Sequence, residues 1–355
     1  MRLRRSDCSG PGIRRRRAGR GFWYFDEDGE RVDDPEVLTR IAELTIPPAW
    51  KDVWICPYPN GHLQATGTDA AGRRQYLYHR DWRARRDQEK FGDMVRFARD
   101  LPVLRRRLER DLMASTELTR ERVLACAVRL LDRGFFRIGS EDYAVRNETY
   151  GLATMRKEHV RIEDEHTMVF DYPSKSGRRQ VRTVVDPVSC EIVARLARRR
   201  SGGDDLLVYR EGPRGPWIDV RSDAINAYIK EITGADHSAK DFRTWNATVL
   251  CAVALAVSGR AAASPTGRKR AVARAIKEVA LYLGNTPAVC RASYVDPRVI
   301  DAFHGGAHIG GVLDRLGDEA RGGDLTIHHR DIEEAVLDLI AADYDSDAIE
   351  IAAAA

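Results

Sequence analysis

The sequence has no long hydrophobic run, since none of its apolar stretches approaches the roughly 20 residues that a membrane-spanning helix needs. Its start, MRLRRSDCSGPGIRRRR, also has no apolar segment typical of a secretory signal peptide. Cysteine is scarce and scattered, without a CxxC pair or a Cys/His spacing typical of zinc. The six cysteines are residues 8, 56, 126, 190, 251 and 290. These absences exclude a disulfide framework and predict a cytoplasmic protein with reduced thiols.

Two further motifs are absent. The sequence contains no GxxxxGK[ST] phosphate-binding loop and no carboxylate cluster suited to divalent cations. We therefore expect a protein that needs no cofactor and no metal.

Lysine is rare and acidic residues are unevenly distributed. Of 58 basic residues only eight are Lys, and the remaining 50 are Arg. Residues 311–355 carry 12 acidic and three basic side chains, a net charge of −9. Because the whole chain carries +4, residues 1–310 carry +13. A basic body with an acidic end predicts a polyanionic partner, and nucleic acid is the expected one.

The composition changes along the chain and predicts an α+β protein in four segments. Residues 1–20 hold eight Arg and are typical of a basic, disordered arm. Residues 21–90 are rich in Trp, Tyr, Ile and Val interrupted by Pro and Gly, which predicts a small β-rich domain. Helical spacing of apolar residues dominates 91–310, with a β-hairpin expected around 174–177. Residues 311–355 form an acidic tail containing one helical pattern, DIEEAVLDLI.

Four short motifs carry candidate catalytic side chains: Arg137 in FFRIG, Lys175 in SKSG, Arg243 in KDFRT and Tyr294 in SYVDP. Each also has an ordinary structural interpretation. In the same order, these are a helix C-terminus, a polar turn, a solvated first helical turn and a packed aromatic ring. Lys175 is informative in an arginine-rich chain, because an ammonium group can donate a proton and a guanidinium cannot. Arg243 begins an apolar helix, where peptide N–H groups favour an anion, so the motif predicts a phosphate clamp.

The order and wording of these motifs resemble the type IB DNA topoisomerases, specifically their bacterial, poxvirus-like branch. The resemblance covers about residues 40–310 and includes PPAWKDVWICPYPNGHLQATGTD, GRRQYLYHRDWR, FFRIGSEDYAVRNETYGLATMRKEHV, YPSKSGRRQ, KDFRTWNATVLCAVALA and LGNTPAVCRASYVDP. It implies a β-rich clamp domain followed by a mainly helical catalytic domain of the topoisomerase and tyrosine recombinase fold. It also implies relaxation of supercoiled duplex DNA by transient cleavage of one strand, rotation and religation, without ATP or metal.

The resemblance assigns five catalytic positions. It implies that Arg137 and Arg243 stabilise the phosphate, that Lys175 protonates the leaving 5′-oxygen, and that Tyr294 forms a 3′-phosphotyrosyl link. The fifth position, nine residues before Tyr294, is usually His in the viral enzymes and is Asn285 here. An amide can donate a hydrogen bond to a phosphate oxygen but cannot transfer a proton. We therefore expect Asn285 to act as a hydrogen-bond donor.

The resemblance also implies DNA contacts outside these five positions. Tyr76 and Tyr78 alternate along one strand, so they share a face that suits DNA contact, although a core-facing pair has the same spacing. The other implied contacts are Tyr143, Asn147, Thr154 and Lys240. The expected partner is double-stranded DNA, clamped by a monomer at the nucleoid and away from any membrane.

Two alternatives remain at this point. A tyrosine recombinase or integrase uses a related Arg/Lys/Arg/Tyr domain, but it typically has an HxxR motif where this sequence has Lys240 before Arg243. A sheet-rich first domain also differs from the helical core-binding domain of recombinases. The second alternative is a DNA-binding relative with little or no catalytic activity.

Overall fold

The computed structural model describes residues 2–141, 144, 148–174, 177–212, 214–259, 262, 264–319 and 330–351. The chain divides into two compact units, Met1–Gly92 and Asp93–Ala355. The expected fold class, a β-sheet unit followed by a mostly helical one, is confirmed. Among the described residues, no helix combines the length and apolar character needed to cross a bilayer.

The first unit begins with strands, and its last element, α2, continues into the second unit. Its elements are β1 (Ile13–Ala18), β2 (Gly21–Phe25), α1 (Pro35–Glu43), β3 (Lys51–Ile55), β4 (Leu63–Thr68), β5 (Arg74–Tyr78) and α2 (Arg80–Met113). The strands form one antiparallel sheet in the order β2-β1-β3-β4-β5. Asp34 caps α1 by accepting from the backbone N–H of Glu36 and Val37. The core joins Ile41 of this helix to alternate strand residues, namely Ile13, Val53, Ile55 and Ala65.

The predicted disordered arm is wrong for the described part of residues 1–20. β1 pairs with both β2 and β3, and Arg4 forms a further bridge with Gly61. The arginine run does not prevent a strand, because alternate side chains lie on opposite faces of the sheet. Arg15 donates to the carbonyl oxygens of Pro47 and Trp50 at 3.0 and 2.7 Å, so this charge stabilises the loop before β3.

The second unit is mainly helical. Its helices are α3 (Arg120–Gly134), α4 (Pro187–Arg198), α5 (Ser222–Thr233), α6 (Ala239–Gly259), α7 (Pro265–Leu283), α8 (Pro287–Ser293), α9 (Pro297–Gly305), α10 (Gly310–Glu319) and α11 (Arg330–Ala341). Helix α6 is apolar on nearly all sides and is therefore buried, packing against α3, α7, α9, α10 and α11. Trp245 on this helix is fully buried. Side chains carried by α6 are thus held in fixed positions.

Within the described ranges of this unit, seven short strands accompany these helices. They are β6 (Val160–Ile162), β7 (Thr167–Ser174), β8 (Arg178–Val185), β9 (Val208–Arg210), β10 (Trp217–Asp219), β11 (Ala307–His308) and β12 (Glu350–Ile351). The expected hairpin is formed by β7 and β8, which pair in register from Thr167↔Val185 to Ser174↔Arg178. Its inward face carries Tyr172, Gln180 and Arg182, because inward and outward positions alternate along both strands.

The described part of residues 311–355 is not a separate tail, as the sequence had suggested, but belongs to the second unit. The predicted helix in DIEEAVLDLI is present as α11, with Ile332, Val336 and Ile340 buried. Its Glu333 is also buried and accepts hydrogen bonds from Arg105 at 2.5 and 2.9 Å. The acidic composition masked this role, because a buried carboxylate with a basic partner looks like any other acidic residue in a sequence.

Candidate active site

Helix α6 presents Arg243 from its first turn. The side chain is 4% exposed, which excludes a solvated first turn. Its guanidinium donates to the carbonyl oxygens of Phe135 and Leu283 and lies 5.4 Å from the centre of the Tyr294 ring. Burial and then the nearby charge of Arg137 lower the pKa of Arg243 to about 10, whereas Tyr294 opposes the shift. Arg243 therefore remains a cation at neutral pH, fixed beside a phenol.

The same helix also positions the main chain of Tyr294. The hydroxyl of buried Thr248 lies 3.3 Å from the Tyr294 carbonyl oxygen and accepts a hydrogen bond of 3.1 Å from the N–H of Asp296. The Tyr294 N–H donates to Cys290 at 2.9 Å, which ends α8. One helix thus sets the separation between Arg243 and Tyr294.

Arg137 follows the C-terminus of α3. Phe135 ends that helix in the left-handed conformation, with φ 56°. Beyond it, the Arg137 carbonyl oxygen accepts from the N–H of Leu152 at 2.8 Å. Gly139 and Gly151 approach so closely that a Cβ atom on Gly151 would lie 2.4 Å from the backbone nitrogen of Gly139. The chain around Arg137 is therefore pinned by contacts that only glycine permits.

Asn285 lies next to Arg137. Helix α7 ends at Gly284, in the left-handed conformation with φ 61°, and the N–H of Asn285 donates to Ala280 at 2.9 Å. The Asn285 side-chain oxygen accepts from the guanidinium of Arg137. Its amide nitrogen is buried and has no hydrogen-bond partner among the described residues. An unpaired buried donor is costly unless a ligand satisfies it, and this donor is of the kind expected from the sequence.

Arg182 is a basic residue that sequence reasoning missed. It lines a narrow cleft shared by both candidate arginines, whose described lining is Phe135, Arg137, Tyr150, Tyr172, Ser174, Gln180, Arg182, Arg243 and Leu283. The run GRRQVRTVV hides it beside two other arginines. The strand alternation could have found it, because Arg182 shares a face with Gln180 while Arg179 does not.

Tyr172, opposite Gln180 on the hairpin, is another tyrosine close to these arginines. Burial raises the pKa of Tyr172, although the charges of Arg182, Arg243 and Arg137 act in the other direction. The side chain is 4% exposed, whereas Tyr294 is only partly buried. The two phenols beside the arginines thus differ in access to solvent.

The other residues named from the sequence differ in whether the structure describes them. Lys175, Tyr143 and Asn147 lie outside the described residues. Lys240 is exposed in the first turn of α6, as a DNA contact requires. Thr154 is different: it is 8% exposed and its hydroxyl accepts from the N–H of Gly151 at 3.0 Å. We therefore reassign Thr154 from a DNA contact to a residue that fixes this turn.

A separate aromatic and basic surface lies on the sheet of the first unit. Tyr76 and Tyr78 are 46% and 41% exposed, and their rings stack with centres 6.2 Å apart, which excludes a core-facing pair. Cross-strand pairs place Arg14 on the same face as Tyr76. Two residues further along β1, on the same face, Arg16 pairs with Trp23, whose side chain is 49% exposed. Sequence reasoning missed both arginines because it treated residues 1–20 as disordered, and it did not single out Trp23 within the predicted β-rich segment.

Comparison with known proteins agrees with this architecture. A model of the eukaryotic DNA topoisomerase I catalytic core matches residues 79–302, and one of the bacterial DNA topoisomerase IB N-terminal domain matches residues 21–69. A DNA topoisomerase 1B of Acanthamoeba polyphaga mimivirus is 32% identical over 290 residues, which is 80% of this chain and 85% of that protein.

Cellular relatives match over shorter stretches. DNA topoisomerase 1 of Schizosaccharomyces pombe is 30% identical over 150 residues, covering 42% of this chain and 17% of its own length. The Drosophila melanogaster enzyme of that name is 28% identical over 145 residues, covering 39% and 14%.

The fold and these matches first define the class, a DNA topoisomerase I core behind a bacterial type of N-terminal domain. The chain belongs to the type IB DNA topoisomerase family. The resemblance seen in the sequence is confirmed, and the tyrosine recombinase alternative is not favoured.

Proposed function

We propose that this type IB topoisomerase relaxes supercoiled duplex DNA through a transient covalent link between Tyr294 and a 3′-phosphate. The observation that carries the proposal is the position of Arg243, buried and 5.4 Å from the Tyr294 ring, beside Arg137 and Asn285. A guanidinium at this distance stabilises negative charge on a phenol and on a bound phosphate alike.

The chemistry requires one bond to form as another breaks. The Tyr294 oxygen attacks the phosphorus and loses its proton, while the bond from phosphorus to the 5′-oxygen breaks. The leaving 5′-oxygen takes up a proton, for which the family resemblance indicates Lys175. Religation reverses these steps: the 5′-hydroxyl attacks the phosphotyrosyl link and releases Tyr294 as a protonated phenol.

Three side chains fit the task of stabilising the five-coordinate state between these forms. Arg137 and Arg243 supply positive charge, and the free amide nitrogen of Asn285 supplies a hydrogen-bond donor. Two of the three donor nitrogens of Arg243 are anchored to backbone carbonyl oxygens, whereas its buried Nε has no partner in the part of the chain that the structure describes. Donors fixed before the reaction need not reorganise when charge develops.

Solvent access favours Tyr294 over Tyr172 as the nucleophile. A nucleophile must reach a phosphate on a bulky duplex, and Tyr172 is 4% exposed within the sheet. Burial also raises the pKa of Tyr172, which makes its anion harder to form.

The energy source of the cycle follows from the proposed intermediate. A phosphotyrosyl ester resembles in energy the phosphodiester that it replaces, so the broken backbone bond is preserved until religation. We therefore propose that relaxation needs neither ATP nor a metal ion.

We further propose that the first unit binds the duplex through its exposed tyrosine face. Tyr76, Tyr78 and Trp23 offer flat rings, and Arg14 and Arg16 offer charges that neutralise phosphates. A monomer that closes around DNA would use this face together with the Arg137 and Arg243 site. The predicted consequence is binding that weakens steeply as salt rises.

The deciding experiment is relaxation of supercoiled plasmid in EDTA without ATP, over a range of salt concentrations. We expect relaxation by the wild-type protein, and neither relaxation nor covalent trapping by Tyr294→Phe, which should keep most of its DNA affinity. A plasmid that stays supercoiled at every salt concentration would support the alternative of a catalytically weak DNA binder. Efficient strand exchange between two short matching duplexes would instead support a recombinase.

A further inference from the structure

Arg182 lies in the middle of β8 with its side chain on the inward face of the hairpin. Its Nη2 donates a hydrogen bond of 2.8 Å to the side-chain oxygen of Gln180, and the guanidinium also hydrogen-bonds Tyr172. Its Nε is buried, and no described residue accepts a hydrogen bond from it. Five N–H donors are available on a guanidinium, so these contacts hold the side chain in place without exhausting its donors.

The surroundings of Arg182 are unusual for a partly buried cation. It lines the same cleft as Arg137 and Arg243, and the described lining of that cleft includes no carboxylate. Burial lowers the pKa of Arg182, the nearby phenol of Tyr172 opposes the shift, and Arg137 adds to it. The three guanidinium groups repel one another in this partly buried cleft. An anion that binds between them offsets the repulsion and stabilises the arrangement.

The Nε atoms indicate the nature of that anion. Among the described residues, neither the buried Nε of Arg182 nor that of Arg243 has a partner, and the side-chain amide nitrogen of Asn285 has none either. An anion with several oxygens at tetrahedral angles can accept from donors that approach from different sides. A phosphate diester has this form, and a carboxylate, with two oxygens in one plane, does not.

We propose that Arg182 is a third phosphate-binding arginine of this site, which contacts a non-bridging oxygen of the phosphate that Tyr294 attacks. The proposal rests on the proposed function, because it takes the phosphate between Arg137 and Arg243 as the reacting one. Arg182 exchanges no proton in this role. It adds positive charge from the hairpin, whereas Arg243 adds positive charge from α6.

The test is single-turnover cleavage of a DNA duplex by Arg182→Ala, with a phosphate or a methylphosphonate at the cleavage position. Loss of an oxyanion-binding donor commonly slows a reaction by about 10²–10³-fold, and we expect a defect of this size on the phosphate. A methylphosphonate lacks one charged oxygen, so one of its two diastereomers should be cleaved by the variant and the wild type at rates within a few-fold. The proposal would be overturned if Arg182→Ala showed the same defect on the phosphate and on both methylphosphonate diastereomers. It would also be overturned if Arg182→Ala cleaved the phosphate at the rate of the wild type.

A matched control is Arg179→Ala, on the outward face of the same strand, where Arg179 forms an exposed ion pair with Asp171. It removes the same atoms from β8 and should leave the cleavage rate unchanged. Arg182→Gln, which keeps part of the side chain and hydrogen-bonding capacity, serves where Arg182→Ala fails to fold. It should show the same dependence on the substrate.

Binding of inorganic phosphate separates this proposal from the proposed function, because it does not need cleavage. Phosphate should raise the melting temperature of the wild type and of Arg179→Ala, and Arg182→Ala should need about tenfold more phosphate for the same rise. Equal responses of the two variants would overturn the role of Arg182 even where the wild type relaxes plasmids. A wild type that binds phosphate through Arg182 but never cleaves DNA would contradict the proposed function alone.

Discussion

The indole N–H of Trp245 donates a hydrogen bond of 3.0 Å to Glu333, which connects helix α11 to the helix that carries Arg243 two residues earlier. The same carboxylate accepts from Arg105, which also binds Asp132 at 2.8 and 2.9 Å near the end of α3. Burial acts to lower the pKa of Arg105, but Asp132 and Glu333 together raise it above its usual value. A residue in the acidic C-terminal region thus ties together the helices that lead to Arg137 and carry Arg243.

Glu333→Ala should destabilise the protein by about 3–5 kcal/mol, because it leaves Arg105 and the Trp245 indole partly unpaired in a buried network. Urea unfolding followed by fluorescence measures this change. Glu334→Ala is the matched control, since Glu334 pairs with Arg330 where both side chains are more than half exposed. It should change stability by less than about 1 kcal/mol. Equal effects of the two variants would mean that the network contributes little.

Gly284→Ala should slow DNA cleavage more than its effect on stability explains. A Cβ atom at this position would lie 2.7 Å from the side-chain nitrogen of Gln180. The side-chain oxygen of Gln180 accepts a hydrogen bond from Arg182. The Gln180 side chain can change rotamer at little cost, but its hydrogen bond with Arg182 is then lost. The backbone between Gly284 and Asn285 is also disturbed. The measurements are single-turnover cleavage rate and melting temperature.

The control for Gly284→Ala is Gly234→Ala. Gly234 has φ 65°, close to the 61° of Gly284, but nothing lies within 4 Å of its added Cβ atom. Both variants should lose about 1 kcal/mol of stability from the left-handed backbone. A cleavage rate that falls equally in both would contradict the proposed contact.

Asn285 should act as a donor only. Asn285→Ala removes the free amide nitrogen and should slow cleavage by about 10²–10³-fold, whereas Asn285→His should be tolerated. Asn285→Asp keeps an acceptor for Arg137 but places negative charge beside the phosphate, so it should cleave no faster than Asn285→Ala while remaining as stable as the wild type. Single-turnover cleavage and thermal melting distinguish these outcomes. An unaffected Asn285→Ala rate would show that the residue makes no contact that matters to the reaction.

Lys175 should be dispensable when the leaving group needs no proton. Lys175→Ala should cleave ordinary DNA slowly but cleave a substrate with sulfur at the 5′-bridging position at a rate much closer to that of the wild type. Lys175→Arg keeps the charge without a removable proton and should follow Lys175→Ala. The same loss on both substrates would remove Lys175 from the role of general acid.

His159 should make stability fall on mild acidification. Its side chain is 7% exposed, its Nδ1 accepts from the N–H of Arg156 at 3.1 Å, and its ring lies 4.4 Å from that of Tyr150. Burial lowers the pKa of His159 below 6.5, Glu158 opposes this shift, and Arg156 adds to it. The unfolded chain therefore takes up the proton first, and the stabilisation present above pH 6.5 is lost as pH falls through the lowered pKa.

The measurement for His159 is the free energy of unfolding between pH 7.5 and 5. The fall over this range should be smaller in His159→Gln than in the wild type. His166→Gln, which removes a mostly exposed imidazole, should retain the slope of the wild type. An unchanged slope in His159→Gln would show that His159 does not contribute to the acid sensitivity.

The sequence alone predicted the fold class. The structure places Arg137 beside Asn285 and Arg243 beside Tyr294, as short motifs allow, while the catalytic roles of these residues stay predictions. Sequence reasoning did not single out Arg182, although the alternation along β8 separates it from Arg179 once the inward face of the strand is known. It also misjudged Thr154, whose hydroxyl is used within its own turn. Composition misled most where charge was dense: four consecutive arginines form a strand, and an acidic segment contributes Glu333 to the interior.

The pairing of β1 has a practical consequence for anyone preparing the protein. A deletion of the first twenty residues, reasonable for a flexible arm, would remove the strand that lies between β2 and β3. Strand β3 would then present a row of unsatisfied N–H and C=O groups next to Trp54 and Ile55, both buried in the intact sheet. An open edge of this kind recruits other strands. A shortened protein that precipitates would therefore reflect a lost sheet neighbour and not a lost DNA-binding arm.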